Sequence, residues 1–427
     1  MDTRPGPLDG VRVLDLTTFL SGPFCTQILA DLGAEVIKLE APDGDSSRQI
    51  PPHFVGADSA YFLSHNRSKR SVVVDLKTGA GQQVARDLAG SVDVVVENFR
   101  PGVAARLGLD PERMRARHPA LVWVSISGFG QTGPWRDRPA YDIVVQALSG
   151  VMSLTGVPGA DAMRLGVPAG DLVGGMYAVM AALAALVERS RTGEGRWADV
   201  AMLDGQLSML SYQAVYATVA GITPPPQGSR HDSIPTYRSF RAGDGRELVV
   251  AANTQRMWAA LCAVLGVDDL TRDARFASAR ARLAHEDELA PLLEEAFLRR
   301  PAAEWVDRLV EHSVPAAPIK TVPEALDDAR TAGRDMTVLL DDGAGHRVET
   351  VGTPLRWMDA APPAGTYPPA LGADTRAVLE EIGYSAEAVD TLQAAGAVDG
   401  AAPAPDPAAP AAPAASGTPA PSGAGAD

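Results

Sequence analysis

Asp171 stands in Gly166-Val-Pro-Ala-Gly-Asp-Leu-Val-Gly-Gly175, a lone carboxylate among four glycines at the head of a long apolar run. Two roles fit that setting. As a helix N-cap, an aspartate satisfies orphan backbone amides, worth about 1 kcal/mol. As a nucleophile it must be ionised and reachable; a helix N-terminus favours the charge, and glycines leave room for a large reactant. An ionised, accessible carboxylate attacks thioesters and phosphoanhydrides. Local physics alone favours the cap and leaves both readings open.

A second group is cationic. Asn66-Arg-Ser-Lys-Arg-Ser71 continues through VVVDLK to Lys77, with Arg100 in ENFRPG and Arg106 shortly after. Near the ends of successive strands these cations form either an anion pocket or a solvated loop. The chain as a whole is acidic, with 53 Asp and Glu against 38 Lys and Arg, which argues against a nucleic-acid partner because phosphate neutralisation needs a basic surface. Cys25 and Cys262 lie far apart without a CxxC, and the seven histidines show no paired ligand spacing, so neither a disulfide framework nor a metal site is expected.

The elements that must position these groups follow from apolar periodicity. VRVLDL (Val11 to Leu16) reads as a buried strand, followed by a Ser-Gly-Pro turn, a helix through Gln27 to Leu32, and a second strand, AEVIKLE, ending at Glu40. The alternation continues with SVVVDL (Ser71 to Leu76), a helix from about Gly79 to Ala89, VDVVVENF (Val92 to Phe99), a short helix and LVWVSISGFG (Leu121 to Gly130). Such alternation implies an α/β fold with a parallel sheet covered on both faces. The first strand-to-helix turn carries only Gly22, so the GxGxxG dinucleotide fingerprint is missing where it should be, and Glu40 alone does not restore a dehydrogenase reading.

After Asp171 comes an apolar helix whose longest run, Leu172 to Val187, is shorter than the roughly 20 residues of a membrane span and reads as a buried helix. A strand near Trp197 to Met202 and a helix from about Asp204 to Ala220 follow, then ITPPPQGSR as a linker. ELVVAA (Glu247 to Ala252) and helices to about Ala329 read as a smaller α+β unit. The last 27 residues hold 12 Ala and 7 Pro and cannot repay the entropy of folding. The first residues lack the apolar core of a secretion signal, so a cytoplasmic protein off the membrane is expected.

Read together, LDGVRVLDLT, SGPFCTQILADLGAEVIKLEAP, NRSKRSVVVDLK, VENFRPG, SISGFGQTGPW, AYDIVVQALSG, PAGDLVGGMYAVMAALAALVERSRTGEGRWADVAMLDG and LGADTRAVLEEIGY resemble the family III CoA-transferases. That resemblance implies a Rossmann-like, parallel-sheet large domain built from both chain ends (1–221 and 330–392) and a smaller inserted α+β domain (222–329). Composition adds an expected disordered tail, 393–427, and the resemblance implies that two copies form an interlocked homodimer. It implies an acyl-CoA donor, succinyl-CoA or another dicarboxylyl-CoA, and a carboxylic acid acceptor. CoA is then a substrate, and no permanently bound cofactor is expected. Asp171 matches the family's catalytic aspartate, which forms aspartyl anhydride and aspartyl-CoA thioester intermediates. Phe19, Val74, Lys77, Asn98, Phe99 and Arg106 match CoA contacts, with Tyr141 and Asp142 near the reacting end.

Some positions depart from the family pattern. Leu20 replaces a glutamine found near oxalate in formyl-CoA transferase-like sequences, and the glycine run that folds over the aspartate is missing, which argues against oxalate as acceptor. Ala41 replaces an arginine near the adenine. Arg230, His231 and Tyr237 either address an acceptor carboxylate or belong to a linker. Related α-methylacyl-CoA racemases use a histidine where this chain has Tyr141, and a tyrosine, with a pKa of about 10, is a poor base at neutral pH. A CoA-binding protein without turnover is the third reading.

Overall fold

The computed structural model describes residues 6–334, 336–359 and 365–399. Six apolar runs become parallel strands: β1 (Arg12–Asp15), β2 (Glu35–Glu40), β3 (Lys69–Val74), β4 (Val94–Glu97), β5 (Val122–Ser127) and β6 (Trp197–Ala201). They pair in the order β3-β2-β1-β4-β5-β6, and a two-residue strand, Val398–Asp399, adds antiparallel to the free edge of β3. Val13 pairs with both Val36 and Val94, so β1 and β4 are central neighbours although about 80 residues separate them.

Alternate side chains serve opposite faces, as a period of two requires. Val13, Val94, Val96, Val124 and Ile126 pack under α1 (Ser21–Asp31) and α3 (Ala169–Thr192), while Leu14, Ile37, Val72, Val95 and Trp123 pack under helices that include Gly79–Gly90, Pro111–Arg117 and Thr375–Glu381. The helix between these on the path to α3 is α2 (Asp142–Leu148). The chain leaves β1 toward β2 on one side and fills β4 to β6 on the other. A crevice therefore opens beyond the carboxyl ends of β1 and β4, where ligands of doubly wound sheets sit.

Several boundaries differ from the sequence reading. Ser-Gly-Pro is the first turn of α1, where proline is tolerated because its missing amide had no intrahelical partner. β3 begins at Lys69, two residues before the expected Ser71. The helix expected from Asp204 to Ala220 is two, α4 (Met202–Met209) and α5 (Tyr212–Ala220), broken at Ser211 with φ of 48°. Residues 393–399, assigned to the tail, instead complete the helix Ala386–Ala394 and the edge strand; the remainder of the tail, 400–427, lies outside the described residues.

α3 is by length and composition long and apolar enough to cross a membrane. One stripe of it, through Gly174, Gly175, Ala178, Ala182 and Ala185, is buried. Met176, Tyr177, Met180 and Val187 are exposed, so the expected buried helix is buried on one side only. A separate three-stranded antiparallel sheet, β7 (Tyr237–Arg241), β8 (Glu247–Ala251) and β9 (Ala316–Pro318), has its own core around Trp258, Phe276, Phe297 and Trp305.

Candidate active site

Asp171 faces a cavity of about 230 Å³ at the crevice, which also has Phe19, Ser21, Asn98, Phe99 and Tyr141 in its wall. It is the third residue of α3 and not its N-cap. Pro168 holds the cap position without a side-chain acceptor, and the capping carboxylate comes from Asp142 at the head of α2. Its Oδ1 accepts from the Gly170 amide at 2.7 Å and lies 3.4 Å from the Asp171 amide. Asp142 does not line the cavity; it fixes the start of the helix that carries Asp171.

The charge state of Asp171 also differs from expectation. Burial, and next the repulsion of Asp142, outweigh a hydrogen bond from the Ser21 hydroxyl and push the Asp171 carboxyl up to about 7. The helix end does not keep it wholly ionised at neutral pH. Nor do Gly170, Gly174 and Gly175 clear space for a reactant. A Cβ on Gly170 would stand 3.0 Å from Asp142 Oδ1, one on Gly174 3.0 Å from Met202 Cγ, and one on Gly175 2.6 Å from the Ser21 carbonyl. They let α3 approach α1, α4 and its own cap.

Opposite Asp171, the turn after β1 is held by side chains. Asn98 accepts from the Thr18 amide at 3.0 Å and donates to the Thr18 carbonyl at 2.8 Å, so this expected CoA contact first shapes the loop. Phe19 has φ of 64°, a left-handed conformation uncommon for a residue with a side chain, and its ring meets Tyr141 edge-on at 5.9 Å. Tyr141 is 65% exposed. Tyr61 also lines the cavity, unnoticed in the sequence; burial and the charges of Asp171 and Asp142 push its hydroxyl up to about 12.

The expected cation cluster divides in two. Arg67, Lys69 and Arg70 sit at the start of β3, the wrong end for a ligand of the crevice, and are paired there: Arg67 with Asp31, Lys69 with Asp15 at 3.0 Å, Arg70 with Glu35 and Glu381 at 2.7 Å. Burial opposes ionisation of Asp15, yet Lys69 and Lys38 hold its carboxyl far below the usual range. Lys77 lies past the other end of β3 and lines a second cavity of about 430 Å³, with Val74 and Phe99. Phe99 borders both cavities. Arg106 is exposed in a short helix, Val103–Arg106, and neither cavity includes it.

Three arginines line the Asp171 cavity: Arg100, noted in the sequence, and Arg136 and Arg138, which were not. Arg138 stacks over the Trp135 ring at 4.4 Å, and Arg136 pairs with the exposed Asp137 at 3.5 Å. The motif GQTGPW pointed to this loop, but nothing in the sequence aimed its arginines inward. Arg230, His231 and Tyr237 do not line the cavity in this chain. Arg230 pairs with Glu286 at 3.2 Å, and His231 lies between Tyr212 and Tyr237. Among the described residues no cluster of three or more His, Cys, Asp or Glu is placed to hold a metal ion.

The family model described as CoA-transferase family III matches residues 8–375. The chain is 41% identical over 335 residues to the acetyl-CoA:oxalate CoA-transferase of Acetobacter aceti, with 78% of this chain and 86% of that protein covered. It is 38% identical over 390 residues to the succinate–glutarate CoA-transferase of Agrobacterium fabrum, covering 90% and 97%. A crystal structure of a CAIB/BAIF family protein from Brucella suis matches with a TM-score of 0.80 and 36% identity, over 89% of this chain and all of that one.

Proposed function

Because the chain belongs to CoA-transferase family III, we propose that it moves CoA from succinyl-CoA or another dicarboxylyl-CoA to a free carboxylic acid, with Asp171 as nucleophile. The observation that carries this reading is that Asp171 shares one cavity with Arg100, Arg136 and Arg138. Guanidinium groups suit anionic acids, whether the distal carboxylate of the donor or the incoming acceptor. The relative from Acetobacter aceti is named for oxalate, which returns that acid to the acceptors worth testing despite Leu20.

In the proposed reaction a carboxylate oxygen of Asp171 attacks the thioester carbonyl carbon and expels CoA thiolate, giving a mixed anhydride. The thiolate attacks the Asp171 acyl carbon, releasing the donor acid and leaving an aspartyl-CoA thioester. The acceptor carboxylate attacks that thioester to form a second anhydride and frees the thiolate again. Thiolate attack on the acceptor acyl carbon then gives the new acyl-CoA and restores Asp171. Water takes no part, so the thioester energy is conserved.

CoA extends in this reading from the Asp171 cavity past Phe99 into the second cavity, between Phe19, Val74 and Lys77, with Asn98 holding the loop and Arg106 at the rim. Tyr141 covers the reacting end, and Asp142 acts through the helix start. We read 1–221 with 330–392 as the large domain and 222–329 as the inserted one, in a cytoplasmic homodimer. The separate core of the smaller sheet supports the division, two free buried cysteines support the compartment, and the exposed apolar side chains of α3 and α5 support the dimer.

The test is a screen of acyl-CoA donors against acid acceptors by mass spectrometry, with Asp171→Ala beside wild type. The variant should bind CoA within about threefold of wild type and lose transfer by at least about a thousandfold, and wild type should yield a CoA adduct on the Asp171 peptide. Turnover retained in Asp171→Ala would falsify the assignment.

A further inference from the structure

The structure assigns to Lys38 and Asp45 a positioning role: this buried pair clamps the Thr17–Phe19 loop so that Phe19 keeps its left-handed backbone beside the acyl thioester. Both side chains are 0% exposed and pair at 2.9 Å. Lys38 Nζ donates to the Thr17 carbonyl at 2.7 Å, and Asp45 Oδ1 accepts from the Phe19 amide at 3.3 Å and the Ser47 amide at 2.9 Å. Asp15 accepts from the Thr17 amide at 2.9 Å, and Asn98 takes both backbone groups of Thr18. The backbone of three successive residues is thus held by side chains from β1, β2 and the ends of neighbouring strands.

Such an arrangement asks for a reason beyond folding. A loop that only joined β1 to α1 would relax to negative φ at Phe19, because a side chain there disfavours the left-handed region. The clamp keeps φ at 64° at a residue lining the Asp171 cavity. Small misplacements of a reactant slow chemistry far more than they weaken binding. The inference rests on the proposed reading of the cavity as the acyl-CoA site.

Asp45→Asn tests it. An amide has one accepting oxygen, so Asn at 45 must give up either Lys38 or the Phe19 amide. Lys38 remains beside Asp15 and Glu40, and its charge is not stranded. The measurement is a double-mutant cycle with Phe19→Gly, reading kcat, free-CoA affinity and the melting transition. Asp45→Asn should fold, bind free CoA within about threefold of wild type and lower kcat about tenfold or more. In the Phe19→Gly background the same change should cost less than about threefold, since glycine takes positive φ unaided.

An equal loss of kcat in both backgrounds overturns the assignment, as does a loss of kcat that only tracks the folded fraction. Lys38→Met, put through the same cycle, removes the other half of the clamp. If neither variant folds in either background, the pair is a folding requirement and the positioning role falls. Labelling of Asp171 by acyl-CoA in wild type, run in the same series, reports on the reading of the cavity independently of the cycle.

Discussion

Asp171 and Asp142 meet at the start of α3 with different duties, one open to the cavity and the other bonded to the Gly170 amide. Their proximity sets a pH dependence. Burial first and Asp142 second raise the Asp171 pKa to about 7, so its ionised fraction grows as pH rises through that value. Attack on a thioester needs the ionised form, and kcat/KM for the donor should therefore fall on the acid side of about pH 7. Asp142→Asn removes the like charge yet keeps an oxygen for the Gly170 amide. The acid limb should move to lower pH without reaching the roughly 3.9 of an exposed aspartate, because burial, the larger cause, remains. A pH–rate profile checks this, and an unmoved limb would remove Asp142 from the charge balance. The linkage has a definite sign too. Between its unfolded value of about 4 and its folded value of about 7, the native state holds more protons at Asp171, so that residue's contribution to stability declines as pH rises through this window.

At the scale of elements, the approach of α3 to α1 rests on Gly175. A methyl group there would meet the Ser21 carbonyl at 2.6 Å and the Phe24 ring at 3.0 Å. Gly175→Ala should push the helices apart, destabilise the fold by about 1–3 kcal/mol as overpacking does, and displace the Ser21 hydroxyl that bonds Asp171. Gly166→Ala, with nothing near its Cβ position, should melt with wild type; calorimetry of the pair decides, and equal melting of both would show that α1 yields freely. The same elements show how far the sequence can be read. The strands were legible from apolar runs such as VVVE and VWVSIS, because a short continuous apolar run that is buried on both faces is a local signal. Asp171 was visible as a carboxylate among glycines. What stayed hidden was every partner reached through space. Asp142 caps α3 from 28 positions before Gly170, whose amide donates to it, and nothing local showed that Lys69 is spent on Asp15 and Arg70 on Glu35 and Glu381. Arg136 and Arg138 sit in a loop whose path no periodicity encodes.

The whole molecule carries an apolar face that a single chain leaves uncovered. None of Tyr212–Ala220 in α5 is buried, Val219 is 81% exposed and Val215 55%, and Met180 of α3 and Ile143 of α2 are each 52% exposed. The net charge of −15 makes the contrast sharper, since the acids of the chain leave this face apolar. A helix with apolar side chains all round is stable in water only where something packs on it. We take that to be a second copy, in line with the proposed homodimer. Light scattering after size exclusion should then give twice the chain mass of 44.6 kDa at micromolar concentration. Val215→Arg with Val219→Arg should shift the protein toward monomer, because burying unpaired guanidinium groups is costly. The activity readout makes the test sharper. Tyr212 of α5 stacks on His231 at 6.0 Å, so the face proposed to bind the second copy also holds residues whose types suit a carboxylic acid acceptor. Loss of the dimer should therefore raise KM for the acceptor more than KM for the acyl-CoA donor, which in the proposed reading contacts the Asp171 cavity within one chain. A monomeric variant with both constants unchanged would show that the face serves stability alone, and a wild type that stays monomeric would leave the second copy without a role.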